Sequence, residues 1–98
     1  MISDFRDDWL REFFLNDLHH RKIPAGLEKA LFRKLQLIDD ANEEKDLRIP
    51  PGNHFERLRG NLEGYCCIRV NIQWRLIFRW NAEHSEASGL YLDDHTYR

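Results

Sequence analysis

The sequence holds only two cysteines in 98 residues, and they are adjacent, Cys66 and Cys67. Neighbouring cysteines bridge each other only under strain, and CC is not a metal-binding spacing. Both are expected to be small strand residues in a reducing compartment. No stretch approaches the roughly 20 apolar residues of a membrane span. The opening MISDFRDDW is too acidic for a signal peptide, so a cytoplasmic protein without a membrane partner is expected. There is no glycine-rich phosphate loop and no Ser or Cys triad. His19–His20 has no third ligand at a recognisable spacing, so no metal and no cofactor is expected. Repeats and low-complexity segments are also missing.

An overall basic excess is lacking as well. The formal net charge of −2 argues against indiscriminate nucleic-acid binding. The distribution of that charge is more informative. Residues 1–47 carry eight Lys/Arg against eleven Asp/Glu, and residues 81–98 carry one against four. Residues 48–80 carry six against two, and all six are arginine: 48, 57, 59, 69, 75 and 79. Arginine offers a planar fork for phosphate and stacks on bases, which suits RNA, although a protein interface would use it too.

The length allows one domain, spanning 1–98, which buries about two-thirds of the surface of the unfolded chain. Residues 3–18 read as an amphipathic helix capped by Ser3 or Asp4, with Phe5, Trp9, Leu10, Phe13 and Phe14 as its apolar stripe; Met1 and Ile2 can instead open as a short strand. A second helix runs from Pro24 to about Asp40, with Leu27, Ala30, Leu31, Leu35 and Ile38 inward. Residues 39–46 read as a solvated acidic terminus. RIPPGN, at 48–53, cannot be regular structure. Strands are expected over 55–59, in the hairpin 64–80 and over 89–93, with polar turns at 71–73 and 81–88. Helix, helix, then sequential strands implies an α+β fold: two N-terminal helices on one face of an antiparallel sheet of three to four strands, the other face free.

The chain is organised around the hairpin GYCCIRVNIQWRLIFRW. Period-2 alternation puts Trp74, Leu76, Phe78 and Trp80 on one face and Arg75, Ile77 and Arg79 on the other. Guanidinium groups on a strand's second face either pair with acids or hold an anion. The tail adds His95 and Tyr97, groups able to transfer protons or stack on a base. Arg, His and Tyr without a metal suit attack of an RNA 2′-hydroxyl on the neighbouring phosphate. A frayed polar tail is an equally good reading of DDHTY. Asp93 and Asp94 face opposite sides of a continuing strand, which disfavours a paired-carboxylate site. His54, at a loop edge, reads as solvated.

PPGN-x-FE-x-L-x-G, IRVN-x-QWRLIF and YLD-x-H-x-Y, with FRDDWL and IPAGLEKALFRKLQLID before them, resemble HigB-type toxins, the plasmid maintenance system killer branch of the RelE/ParE superfamily. The likeness covers nearly the whole chain. It implies a toxin of a type II toxin–antitoxin pair that cleaves mRNA in the ribosomal A site without a metal. It also implies partnership with the ribosome and mRNA, neutralisation by a HigA-type helix-turn-helix antitoxin, and contact with operator DNA only through that antitoxin. By position, Arg75 is expected at the scissile phosphate, with His95, Tyr97 and Asp94 as further catalytic residues. Arg57 and Arg59, with Arg48, Arg69 and Arg79, are expected RNA contacts. Asn71 stands where RelE-like nucleases often carry a second arginine, and Glu56 where some relatives are basic. The alternative is a ParE-like inhibitor that binds DNA gyrase without nuclease chemistry; a third reading is service chiefly as antitoxin partner and co-repressor.

Overall fold

In the computed structural model, which describes residues 1–94, two helices cover one face of a four-stranded antiparallel sheet. The helices are α1, Asp8–Asn16, and α2, Glu28–Asp40; the strands are β1, Glu56–Arg57, β2, Cys66–Arg69, β3, Trp74–Asn81, and β4, Glu86–Asp94. Strand order follows the chain, so each strand pairs with its predecessor. His95, Thr96, Tyr97 and Arg98 lie outside the described residues.

The core forms where the periodicity places it. Leu10 and Phe13 of α1 and Leu31, Leu35 and Ile38 of α2 pack with Cys66, Ile68, Leu76, Phe78 and Leu90 of the sheet. Leu76 and Phe78 are two residues apart on β3, so both project toward the helices. The helices meet each other through aromatic rings, Phe32 lying against Phe13 and Phe14.

Several boundaries differ from the sequence reading. The first helix starts at Asp8, not residue 3, because the segment before it runs extended beside β4. Ile2 bridges Ala87 and Phe5 bridges Leu90 in parallel, and the Arg6 N–H donates to the Leu90 carbonyl at 2.9 Å. The second helix starts at Glu28, with Pro24 to Leu27 forming the turn that leads in. Residues 39–46 are not simply a solvated end. Asp39 accepts the Ile2 N–H at 2.8 Å, and a 3-10 helix over Glu44–Arg48 buries Leu47. β3 reaches Asn81 and β4 begins at Glu86, which shortens the turn expected at 81–88.

Two asparagines hold the irregular segments. Asn71 closes the β2–β3 hairpin: its side-chain oxygen accepts the N–H groups of Gln73 and Trp74 at 2.8 and 2.7 Å. Asn53, in the PPGN motif, is wholly buried. Its amide donates to the carbonyls of Leu47 and Ile49 at 3.0 and 3.1 Å, and its oxygen accepts from the Lys34 ammonium on α2. Burial, then Arg33, lowers the Lys34 pKa. Asn53→Ala strands two carbonyls and an ammonium, so it is expected to cost about 2–3 kcal/mol in urea unfolding, whereas Ile72→Ser at an 85% exposed turn position should change stability by less than about 0.5 kcal/mol.

Candidate functional site

The sheet face away from the helices is built in rows set by strand register. One row is Cys67, Ile77 and Tyr91, with Glu56 at the β1 end. The next is Arg69, Arg75 and Asp93. Arg79, two residues beyond Ile77, falls on the same face, as does Tyr65, two before Cys67. A register shift between Ile77 and Arg79 marks a bulge against β4.

Arg75 is the centre of this face and is only 9% exposed. Its Nε donates to the Asp93 carboxylate at 2.9 Å, and its Nη1 faces the Cys67 thiol at 3.9 Å. That leaves Nη2 without a hydrogen-bond partner among the described residues. Burial disfavours the guanidinium charge, but Asp93 and Cys67 together outweigh it, and the Arg75 pKa lies above its ordinary value. Arg69 stands directly opposite Arg75 and has no acidic partner among the described residues. Like charges facing each other across strands are unfavourable, and one aspartate balances only one of them.

A shallow hollow adjoins Arg75, lined by His54, Glu56, Cys67, Arg69, Asn71, Ile72, Gln73 and Trp74. His54 reaches it from a left-handed backbone conformation, φ 46°, which ends the turn over Pro51–Asn53. His54 is exposed at the loop edge, as expected, and also forms part of the hollow's wall. Asp94 pairs in register with Trp74 and so points to the helix-bearing side of the sheet, and Gln73 donates to it at 3.5 Å. Asp93, passed over in the sequence, is the acid beside Arg75. His95 and Tyr97 lie outside the described residues.

The other predicted arginines divide. Arg69 and Arg79 share the face with Arg75. Arg57 pairs with Cys66, a core-facing position, and so projects to the opposite side, where it meets Glu44. Arg48 also pairs with Glu44, at 2.9 Å, and lies 4.5 Å over the Phe55 ring. Arg59 leads into the turn at Gly60–Leu62 and joins neither group. Sequence reasoning missed Arg6, Tyr91 and Tyr65. Arg6 lies 3.8 Å over Tyr91, and Arg79 lies 4.4 Å over Tyr65. Alternation alone could have placed Tyr65 on the arginine face, but nothing local shows that residue 6 meets residue 91.

Comparison with known proteins adds to this geometry. A family model described as the RelE-like toxin HigB of type II toxin–antitoxin systems matches residues 3–95. The chain belongs to the HigB-like toxin family. It is 55% identical over 97 residues to Toxin HigB-1 of Vibrio cholerae, covering 99% of this chain and all of that protein. An uncharacterized protein of Haemophilus influenzae is 45% identical over 93 residues, 95% of this chain and 90% of the relative. Membership makes the chain a toxin of a type II toxin–antitoxin system, which implies an antitoxin partner. Among the described residues no helix is long and apolar enough to cross a membrane.

Two measurements check the site's electrostatics. Arg75 and Asp93 are largely withdrawn from water, so losing either partner strands a charge. Arg75→Ala and Asp93→Ala should each cost about 3 kcal/mol by denaturant unfolding, and the double variant less than the two together. The thiols report burial. Burial and the neighbouring Cys67 push the Cys66 pKa up to about 12, and burial raises that of Cys67 against the pull of Arg75. An acid whose folded pKa is raised stabilises fully below its unfolded pKa, about 8.5 for cysteine. Stability is then lost as pH rises through the window up to the folded value. Melting temperature should therefore fall above about pH 8.5, less so in Cys66→Ala. Ellman's reagent should find neither thiol until the protein is unfolded.

Proposed function

We propose that this HigB-like toxin is a metal-independent endoribonuclease that cleaves mRNA in the ribosomal A site and is neutralised by a HigA-type antitoxin. The row Arg69–Arg75–Asp93 carries the reading. Two guanidinium groups face each other across β2 and β3 with one carboxylate between β3 and β4. A phosphodiester beside Arg69 and Nη2 of Arg75 would be gripped by both guanidinium groups, with Glu56 in the wall of the same hollow.

In the reaction, the 2′-oxygen bonds to the adjacent phosphorus as the bond from phosphorus to the 5′-oxygen breaks. The products are a 2′,3′-cyclic phosphate and a 5′-hydroxyl. A base takes the 2′-hydroxyl proton and an acid gives one to the leaving oxygen. His95 and Tyr97 are the proposed proton-transfer and stacking residues, and His54, in the hollow wall, joins them as a further imidazole near the phosphate; Asp94, turned to the helix-bearing side, is set aside from that role. Arg75 and Arg69 stabilise the charge that builds on the phosphorane. Arg79 belongs with the RNA contacts of this face. Arg57 and Arg48, paired with Glu44, and Arg59 stand farther round the β1 edge as auxiliary contacts at most.

Primer extension on mRNA from cells briefly expressing the protein tests this. Wild-type cuts should fall in phase with codons and disappear with His95→Ala. Arg75→Lys keeps a charge for Asp93 but loses the fork, so it should stay folded by circular dichroism and cleave about 10²–10³-fold more slowly. Intact mRNA in growth-arrested cells would overturn the nuclease reading in favour of an inhibitor that acts by binding, as ParE-like toxins do on DNA gyrase.

A further inference from the structure

The open face carries two arginine–tyrosine stacks that the catalytic row does not use. Arg6 lies 3.8 Å over Tyr91 on the β4 side, and Arg79 lies 4.4 Å over Tyr65 on the β2 side. Tyr91 precedes Asp93 by two residues on β4, and Arg79 lies four beyond Arg75 on β3. Both stacks therefore share the face of the Arg75 row, one or two strand repeats away, at about 7 Å per repeat. One such repeat is comparable to the step between phosphates in an extended single strand. Tyr91 registers its surroundings: burial first, then Asp93, raises its pKa, with Arg6 and Arg75 opposing.

Arg6 does not reach this place by chance of an exposed loop. Residues 1–6 are hydrogen-bonded along β4: Ala87 N–H to Met1, Ser3 N–H to Ala87, Leu90 N–H to Asp4 and Arg6 N–H to Leu90, between 2.8 and 3.3 Å. Its guanidinium also contacts Asp7, through Nη2 at 3.0 Å and Nε at 3.4 Å. The tyrosine occupies one flat face of the guanidinium and Asp7 one edge, so Nη1 remains. A stacked guanidinium is held in orientation and loses less freedom on gripping an anion than a loose one.

We propose that Arg6, carried onto the open face by the N-terminal segment and held over Tyr91, is a substrate-binding residue that grips the RNA backbone beside the Arg75 row, with Arg79 over Tyr65 as its counterpart across the sheet. The proposal rests on the endoribonuclease reading for its ligand, single-stranded RNA. It departs from the sequence expectation in drawing the track along β3 and β4 rather than toward Arg48 and Arg57, whose charges meet Glu44 at the far edge.

Fluorescence anisotropy with a labelled oligouridylate, titrated with salt, tests it on the intact chain. Arg6→Gln and Arg79→Gln should each weaken binding severalfold and flatten the dependence of log affinity on log salt by about 0.7 for each phosphate that is no longer neutralised. Tyr91→Leu should act like Arg6→Gln, whereas Tyr91→Phe, which keeps the ring, should bind like wild type. Arg57→Gln, at an auxiliary contact, should weaken binding less than Arg6→Gln. Wild-type binding with Arg6→Gln matching wild type in affinity and slope overturns the proposal; so does Arg57→Gln weakening as much as Arg6→Gln, or no binding by the wild-type chain. Codon-phased cleavage is scored separately on the same variants: its absence with the binding pattern intact defeats only the nuclease reading.

Discussion

The ion pair between Arg75 and Asp93 ties the face together. It spans β3 and β4 at 2.9 Å in the row where both strands approach the hairpin end. A guanidinium only 9% exposed cannot stand there alone, and the pair holds Arg75 in place across β3 and β4. The same contact leaves one edge of the guanidinium turned outward. Stability and candidate chemistry thus draw on one residue, and a change at Arg75 strikes both. That is why the charge-preserving Arg75→Lys separates them better than a truncation to alanine.

Around that pair, strand alternation sorts the arginines more strictly than composition does. The basic middle third contains six of them, but only positions 69, 75 and 79 fall on the open face of β2 and β3. Arg57 differs from its neighbour Glu56 by one residue and therefore by one face. Glu44 collects Arg57 and Arg48 together, joining β1 to the 3-10 helix over Glu44–Arg48. These charges brace the edge of the fold. Arg6 contributes to the open face from a stretch whose own charge is acidic overall, a placement that a tally by thirds of the chain hides.

Local patterns made the architecture legible: the Leu76/Phe78 face, the stripe of Leu31, Leu35 and Ile38, and the order of helices before strands all point to one core. What the sequence did not disclose depends on long-range pairing. Phe5 sits at helical spacing from Trp9, yet hydrogen bonds to β4, eighty-odd positions away, keep residues 2–6 extended. Asp93 and Asp94 look equivalent until register assigns one to Arg75 and the other to Trp74. Asn53 offers no hint that it is buried, because its partners are two backbone carbonyls and a lysine on another element. Tyr65 was accessible to alternation and went unused.

Asn71 raises the question of the second cation, since RelE-like nucleases often carry arginine there. Its side chain is already committed, accepting two backbone N–H groups at the tip of the hairpin. An arginine at that position has no acceptor to offer these donors. The hairpin would then need another means of closing. In this chain the second guanidinium of the row comes instead from Arg69, directly opposite Arg75 on the neighbouring strand. Exchanging a turn arginine for a strand arginine moves the charge off the hairpin tip and into a fixed register. The cost is like-charge repulsion across β2 and β3, which Asp93 offsets in part and a bound phosphate would offset further. The row itself sets two guanidinium groups against one carboxylate, with Glu56 in the hollow wall, and it is this fixed pair of guanidinium groups, more than the net charge of the protein, that would suit it to the proposed RNA backbone.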